Sequence, residues 1–513
     1  MNISLFCAHD NGGAGKAALR LNAGLNLIGE DSTLFVRYKT SGKPKVVQLQ
    51  TPEINNSVFD RCVRKHFFAN THEGNTTSSA MYPSVGFDYL ESIRATDIVN
   101  LHWIPTLVSV EAIVKIRQMG IPVVWTLHDQ NPMTGACHYT HGCDKYKENC
   151  SGCPQLKTNP CDITRVLLET KIKYLPKDIA VVAPSQWLAD CAKESAVFKE
   201  HRIEIIPNSL ETDVFQPVDK GEARRRLSLP PDDKIILFGA QDLKEKRKGF
   251  PELVEALGYL RSIPDGHDNF GKLHMLVFGS PSPLLDTIDI PYTVLGMIDT
   301  DEALALAYSA ADVTALPSLE DNLPNIMLES MACGTPVVAF QTGGMAAVIV
   351  DGKNGYLAPL KDTRKFAERI ADALRSGSLR ASCRGFAEQN YRLEIQAHNY
   401  RDLFFELNRK LKKPTVATDV PVIFPEVAGA MGDYICQASV ETQIELVQAY
   451  VEREKFAKQL EKYVKTLEGI RRSRSWKIAR FLSSLYKKIH RIFRLIWPFP
   501  HIRSLLKKKR QGD

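Results

Sequence analysis

The chain reads as an α/β protein of two successive doubly wound, parallel-sheet domains that carry a helical, strongly basic tail. Three observations predict this. Strand-length apolar runs alternate with segments of helical period over residues 3–127; the same cadence restarts at residue 234; and the charge divides sharply near residue 471. At 513 residues the chain is too long for one ordinary core and suits two domains with an appendage. Its 44% hydrophobic and 24% charged residues match a folded protein, and no uninterrupted run of about 18 apolar residues is present to span a bilayer.

In the first domain, expected over 1–207, residues 3–8 form an apolar strand and 14–28 have helical spacing. Residues 34–37, 98–102 and 122–127 are further strands. The second domain, 208–385, begins after a hinge at Ile206-Pro207-Asn208. Strands are expected at 234–238, 273–278, 292–295, 313–316 and 336–340, with helices at 250–260, 302–310 and 325–332. Residues 366–412 are helical, and 386–412 suit a crossover helix that returns to brace the first lobe. A Pro-containing linker at 414–425 opens the segment 413–470. Apolar residues spaced by three and four from Val440 to Ile470, with one break in phase, fit either a short coiled coil or a docking helix, so 438–470 is a candidate homo-oligomer contact.

The tail, 471–513, holds fourteen Lys and Arg against one acid, a local +13 that leaves residues 1–470 at −6 in a chain of +7 overall. From Ile478 to Ile496 its apolar residues fall on one side of a helix and Arg480, Lys487, Lys488, Arg491 and Arg494 on the other, with Trp476 and Trp497 near the ends. An anionic lipid surface is the expected partner, each basic group contributing about 1 kcal/mol there. The apolar face argues against nucleic acid. The first residues lack a basic lead and a long apolar core, so they read as a strand rather than a signal peptide. Eleven cysteines, most of them scattered, fit a reducing compartment. The expected location is cytoplasmic, peripheral on the inner face of the membrane.

The densest chemistry lies in Pro317 to Val338. A strand ends at Pro317, a polar loop carries Glu320, Asp321, Asn322 and Leu323, a helix starts near Pro324 and bears Glu329, and Gly334 stops it. Carboxylates at the carboxyl end of a sheet strand stand where open α/β sheets bind ligands, and they can accept paired hydrogen bonds from vicinal hydroxyls. Phe238 to Phe250 is a strand, a basic loop with Arg247 and Lys248, and a helix start, suited to a departing diphosphate. In the first domain, Asn11-Gly12-Gly13-Ala14-Gly15 lies between strand and helix, where backbone N–H groups can approach phosphate, although Gly-x-Gly-x-x-Gly is incomplete. His128, in Trp125-Thr126-Leu127-His128-Asp129, ends a strand at the same sheet edge.

These segments resemble the family 4 retaining glycosyltransferases, whose donor site carries two acids with seven residues between them, as Asp321 and Glu329 do here. The resemblance implies a GT-B fold: two Rossmann-like domains facing a cleft, the first for the acceptor and the second for the donor. It implies that Glu329 holds the donor ribose, that Asp321 contacts the sugar or its phosphate, that Gly12 and Gly13 face the phosphates, and that His128 sits beside the transferred sugar. Lys248-Gly249 matches the family's Lys-Gly, and Gly343-Gly344 resembles the loop that wraps the donor sugar. Three positions depart from the pattern. Asp321 stands for the usual Glu, with Glu320 adjacent as a substitute; Ala240 replaces an Arg, with Arg247 as its candidate replacement; and Ala347 replaces an acid. The chemistry alone does not assign each carboxylate to a ring.

The implied activity is transfer of a hexose-type sugar, with retention and without a catalytic cofactor, from a nucleotide-diphosphate sugar to a lipid-linked or saccharide acceptor. The Ser473 to Lys477 run is similar to an appendix behind some bacterial polysaccharide enzymes, which points to exopolysaccharide, capsule or O-antigen assembly of the colanic-acid type. A sugar-nucleotide epimerase on the same architecture and a noncatalytic membrane scaffold are the competing classes. Finally, Cys137, Cys143, Cys150, Cys153 and Cys161 crowd into 25 residues, with the two-residue gap of a zinc knuckle at Cys150-Ser151-Gly152-Cys153. A structural zinc held by Cys137, Cys143, Cys150 and Cys153, packing thiols and a redox pair all fit that pattern.

Overall fold

The structure is a computed structural model that describes residues 1–49, 71–76, 78–81, 87–159, 162–261, 272–280, 283–377, 379–410, 426–427 and 429–430. Both sheets belong to one compact unit, Met1–Asn56 with Arg64–Phe424. The expected oligomer contact at 438–470, the basic tail at 471–513 and Cys161 lie outside the described residues.

The first sheet is wholly parallel and has seven strands: β1 (Asn2–His9), β2 (Asp31–Tyr38), β3 (Val46–Gln48), β4 (Ile98–Leu101), β5 (Val123–Thr126), β6 (Ala180–Ala183) and β7 (Arg202–Ile205), in the spatial order β3-β2-β1-β4-β5-β6-β7. Leu5 pairs with Leu34 on one side and with Asn100 on the other. Helices α1 (Gly12–Leu27), α2 (Val110–Gln118), α3 (Ile163–Tyr174) and α4 (Gln186–Glu194) connect the strands. Being covered on both faces, the strands are near-continuous apolar runs, as a buried parallel sheet requires. Ser109 and Ser185 cap α2 and α4 by accepting the N–H groups of Ala112 and Leu188.

The second sheet has six parallel strands: β8 (Lys234–Ala240), β9 (Leu273–Gly279), β10 (Tyr292–Val294), β11 (Val313–Leu316), β12 (Val337–Phe340) and β13 (Gly355–Ala358), in the order β10-β9-β8-β11-β12-β13. Its helices are α5 (Lys220–Arg226), α6 (Phe250–Arg261), α7 (Asp301–Ala310), α8 (Asn325–Ala332), α9 (Met345–Val348), α10 (Thr363–Arg375) and α11 (Leu379–Asn390). In each sheet the strand order reverses beside its first strand, between β1 and β4 and between β8 and β11. Those two switch points open crevices at the carboxyl ends of the strands.

The expected crossover helix over 386–412 is in fact two elements. Cys383, Ala387 and Tyr391 are buried in the second domain's core, which keeps residues 386–390 with α11. The chain turns back only at α12 (Leu393–Lys410), whose Ala397, Tyr400 and Phe404 complete the first domain's core. At the hinge the two crossings run side by side. The N–H of Leu210 donates to the Tyr391 carbonyl at 2.8 Å, and Gln396 binds both the Ser209 hydroxyl and the Pro207 carbonyl. Among the described residues no helix is long and apolar enough to cross a membrane.

Candidate active site

Both chemical loops of the second domain spring from its switch point. The loop after β8 ends at Gly249, whose φ of +71° and position against Pro317 leave no room for a side chain: a Cβ there would stand 1.8 Å from the Pro317 carbonyl oxygen. The basic loop is thereby pressed onto the loop that follows β11. Asp321, 5% exposed, accepts from the Lys248 ammonium at 2.8 Å and the Arg247 guanidinium at 2.9 Å, and Tyr139 of the first domain donates to its other oxygen at 3.3 Å. Burial works against its charge, but Lys248 and Arg247 prevail and pull the carboxyl down to about 2.

Arg247 stands differently from the phosphate contact expected of it. It is buried, lies 4.0 Å over the Tyr139 ring, and spends its donors on Asp321, Glu245 and the Glu320 carbonyl. Lys248 is the more exposed cation of the pair and retains N–H groups for a ligand. Glu320 faces the first domain, accepting from the His141 backbone at 3.0 Å and from Thr140, so it does not substitute for Asp321. Leu323 is packed in the second domain's core. Gly343 and Gly344 lie against the backbone of Asp321 and Asn322; a Cβ on Gly343 would meet the Asp321 carbonyl oxygen at 1.8 Å. They fix the acidic loop from behind.

One turn into α8, Glu329 is buried with each oxygen engaged. Arg20 of α1 donates to one at 2.8 Å and the Tyr308 hydroxyl to the other at 2.9 Å. Arg20 also binds Glu211 at 2.8 Å and lies 5.3 Å from the Phe215 ring centroid, and its remaining terminal nitrogen is buried without a hydrogen-bond partner. The sequence reading missed Arg20 and Tyr308. A signal was present, since Arg20 falls among Ala17, Ala18, Leu21 and Leu25 on the buried face of α1. Ahead of it, Gly12 opens α1 with φ +69°, and the Gly13 carbonyl accepts from the Asn325 side chain at 3.1 Å, which sets this loop against the start of α8.

The first domain contributes histidines, of which His102 and His128 are held uncharged, and one carboxylate, Asp129. β4 ends at Leu101 and is followed by His102, and β5 leads into Leu127-His128; because Leu101 pairs with Trp125, His128 lies two residues beyond the place opposite His102. His102 Nδ1 and His128 Nε2 are 2.9 Å apart. Burial, with Asp129 opposing it, lowers His128 to about 4, and burial pushes His102 the same way. Asp129 caps the next turn by accepting the Asn131 N–H, and it also binds Trp103 at 3.1 Å and His138 Nδ1 at 2.6 Å. The chain of bonds continues from His138 Nε2 to the Ser79 hydroxyl at 2.9 Å. Asn322 closes the junction by donating to the His128 carbonyl at 3.2 Å and accepting from Ser185 at 2.7 Å. His128, Asp321, Asn322 and Lys248 thus share one region, while Glu329 sits with Arg20 and Tyr308. Cys137, Cys143, Cys150 and Cys153 are free thiols beyond Tyr139. Burial raises Cys150 to about 11 and lifts Cys137 and Cys153, so none of these three stands as a thiolate nucleophile.

With that geometry in place, known proteins supply the context. Residues 233–376, which contain both second-domain loops, match the family model described as glycosyl transferases group 1. This stretch is similar to the group 1 glycosyl transferases. A D-inositol 3-phosphate glycosyltransferase of Acidothermus cellulolyticus is 33% identical to the chain over 189 residues, covering 34% of this chain and 41% of that one. The chain spans about two fifths of the length of the first curated relatives it matches. Among solved structures, sucrose-phosphate synthase from Thermosynechococcus elongatus aligns with a TM-score of 0.56 at 22% identity, over 79% of this chain and 99% of that one. Anabaena HepE in complex with UDP and glucose aligns at 0.52 and 15%, over 79% and 99%. The two parallel-sheet lobes have the GT-B fold.

Proposed function

We propose that the chain is a glycosyltransferase that moves a hexose-type sugar, with retention, from a nucleotide-diphosphate sugar to a lipid-linked or saccharide acceptor in surface polysaccharide assembly. The observation that carries this reading is the meeting of Asp321, Lys248 and Asn322 with the His128 loop, with Glu329 on the helix that follows the same loop. Cleaving a sugar nucleotide develops charge on the departing diphosphate, and preorganised cations in a water-poor cleft stabilise it far better than bulk solvent does. Lys248 supplies that charge, and Arg247, fixed by Asp321 and Glu245, holds the loop in place. Glu329 accepts from Arg20 and retains lone pairs for vicinal ribose hydroxyls. The uncharged His102–His128 pair suits a neutral sugar and an attacking hydroxyl.

The UDP and UDP-glucose bound by HepE support a nucleotide-sugar donor. The names of the curated relatives favour a phosphorylated polyol as an acceptor to be tried beside saccharides. A surface-polysaccharide acceptor, and attachment to the inner face of the membrane, rest on the basic tail. Lys248→Ala and Glu329→Ala should each abolish transfer from every sugar nucleotide the wild type accepts, in a radiolabelled-donor screen. Unchanged transfer in both variants defeats the site assignment. Removing residues 471–513 should free the protein from anionic vesicles while preserving donor hydrolysis, and persistent vesicle binding rejects the anchor.

A further inference from the structure

Four thiols that the transferase chemistry leaves unused, Cys137, Cys143, Cys150 and Cys153, line a single small cavity of about 20 Å³ in the first domain. We propose that these four side chains bind one structural zinc ion as thiolates, fastening the loop that carries His138, Tyr139 and Thr140 into the cleft. A tetrahedral four-sulfur set is the commonest closed, noncatalytic zinc environment, and the space needed is that of one small ion.

The surroundings are already shaped for it. Cys150 and Gly152 both take positive φ, 55° and 58°, in the tight turn that carries two thiols separated by two residues. That turn is clamped from outside: the Lys145 ammonium holds the Ser151 and Gly152 carbonyls at 2.8 and 2.7 Å, and Asp162 accepts the Gly152 N–H at 3.0 Å. A backbone N–H points at sulfur, from Gly135 to Cys150 at 3.3 Å. Such outer contacts orient ligands and spread the charge of metal-bound thiolates. The Lys171 ammonium, buried and bound to the Asn131 and Thr134 carbonyls at 2.6 and 2.7 Å, supplies a cation within electrostatic reach of Cys137 and Cys150. Thiols that merely packed would need neither the clamped turn nor the shared cavity.

Among the described residues no group of three or more His, Cys, Asp or Glu side chains stands ready-made to hold a metal. The four thiols therefore share a cavity rather than a coordination sphere, and the ion must draw them together as it binds. Metal sites of this kind commonly form with the metal. The consequence for the cleft follows from chain order. Between Cys137 and Cys143 lie His138, which binds Asp129; Tyr139, which binds Asp321 and covers Arg247; and Thr140, which binds Glu320.

The test is a metal count on the full-length chain, purified reduced and without a nickel column. One zinc per chain is expected, along with the intense visible absorption of tetrahedral thiolate-bound cobalt after exchange. Cys150→Ser and Cys153→Ser should each lose the metal, whereas Cys383→Ser, in the other domain, should keep it. If the first two variants fail to fold, the wild-type count and cobalt spectrum decide alone. Well under one equivalent of metal in folded, reduced protein overturns the proposal. So does a disulfide among the four by intact mass, or zinc that survives both substitutions. The count does not depend on donor turnover, so it stands or falls separately from the transferase reading.

Discussion

The two switch-point crevices are built from opposite chemistry. Behind β8 and β11 the polar groups are ions: Lys248, Arg247 and Asp321 in one cluster, Arg20, Glu211 and Glu329 in the other. Behind β4 and β5 they are mostly neutral, two histidines joined to each other and a third bound to Asp129, with Trp103 and Ser79 completing the hydrogen bonds. A diphosphate that gains charge as it leaves calls for fixed cations, whereas an acceptor hydroxyl needs partners that do not carry a charge of their own. The contrast predicts that substitutions on the ionic side act through unpaired charge, and on the neutral side through single hydrogen bonds.

The largest effect is expected at Glu329. Removing it leaves Arg20 buried with Glu211 as its one remaining carboxylate. Breaking a buried pair by deleting one partner costs about 3–5 kcal/mol. With Glu211 retained, Glu329→Ala should lose about 3 kcal/mol, seen as a lower urea midpoint at unchanged slope. Glu329→Gln, whose Oε1 can still accept from Arg20 while its amide N–H turns a donor toward the Tyr308 hydroxyl, should lose about 1 kcal/mol. Equal losses in the two variants would mean that charge pairing does not govern this side.

The next prediction separates the two sides by pH. His128 is lowered from 6.5 to about 4 in the folded chain by burial, against Asp129. Above pH 6.5 it is uncharged in both states and its contribution is complete. Between 6.5 and 4 the unfolded chain binds a proton that the folded chain refuses, so stability falls with pH. His102 is shifted in the same direction. Asp321, lowered from 3.8 to about 2, withdraws its contribution only as the pH drops below 3.8. Glu320, raised by burial, works in the opposite direction near the carboxylate range. The urea midpoint should therefore begin to fall below pH 6.5, and His128→Gln should flatten that first limb and leave the lower one. A wild-type midpoint level from pH 6.5 to 4.5 would refute the buried neutral pair.

How much of this was legible in the sequence follows the same division. Ionic donor chemistry needs particular residues at fixed offsets along one loop and helix, so Asp321, Glu329 and Lys248-Gly249 stand out within a short run of chain. The sheets were equally legible, because buried parallel strands are dense apolar runs. On the histidine side only His128 was legible, from its place at the end of a strand and the resemblance. His102, His138 and Ser79 come from separate segments, and each taken alone is an ordinary residue. Arg20 and Tyr308 were missed for a related reason: the apolar face of α1 marks Arg20 as buried, but Glu329 finds the two across about 310 and 20 residues of chain, and local spacing does not name that partner. Arg247 shows the converse limit. Its position in a basic loop suggested a phosphate contact, but Tyr139, arriving from the other domain, covers it.

The smallest effect tests whether the neutral side is held together as loosely as its chemistry implies. Ser79 is the outer end of the chain from Asp129 through His138, and it is half-buried, so water can replace its hydroxyl at His138 Nε2. An intramolecular hydrogen bond contributes about 0.5–1.5 kcal/mol net. With water available, Ser79→Ala should cost under about 1 kcal/mol in urea unfolding and change kcat/KM for the acceptor by less than about fivefold. His138 remains oriented by Asp129, whose carboxylate accepts three N–H bonds without Ser79. A loss approaching a hundredfold in kcat with stability intact would show instead that Ser79 and His138 act on the acceptor hydroxyl itself. The neutral crevice would then share in the chemistry and not only in the binding.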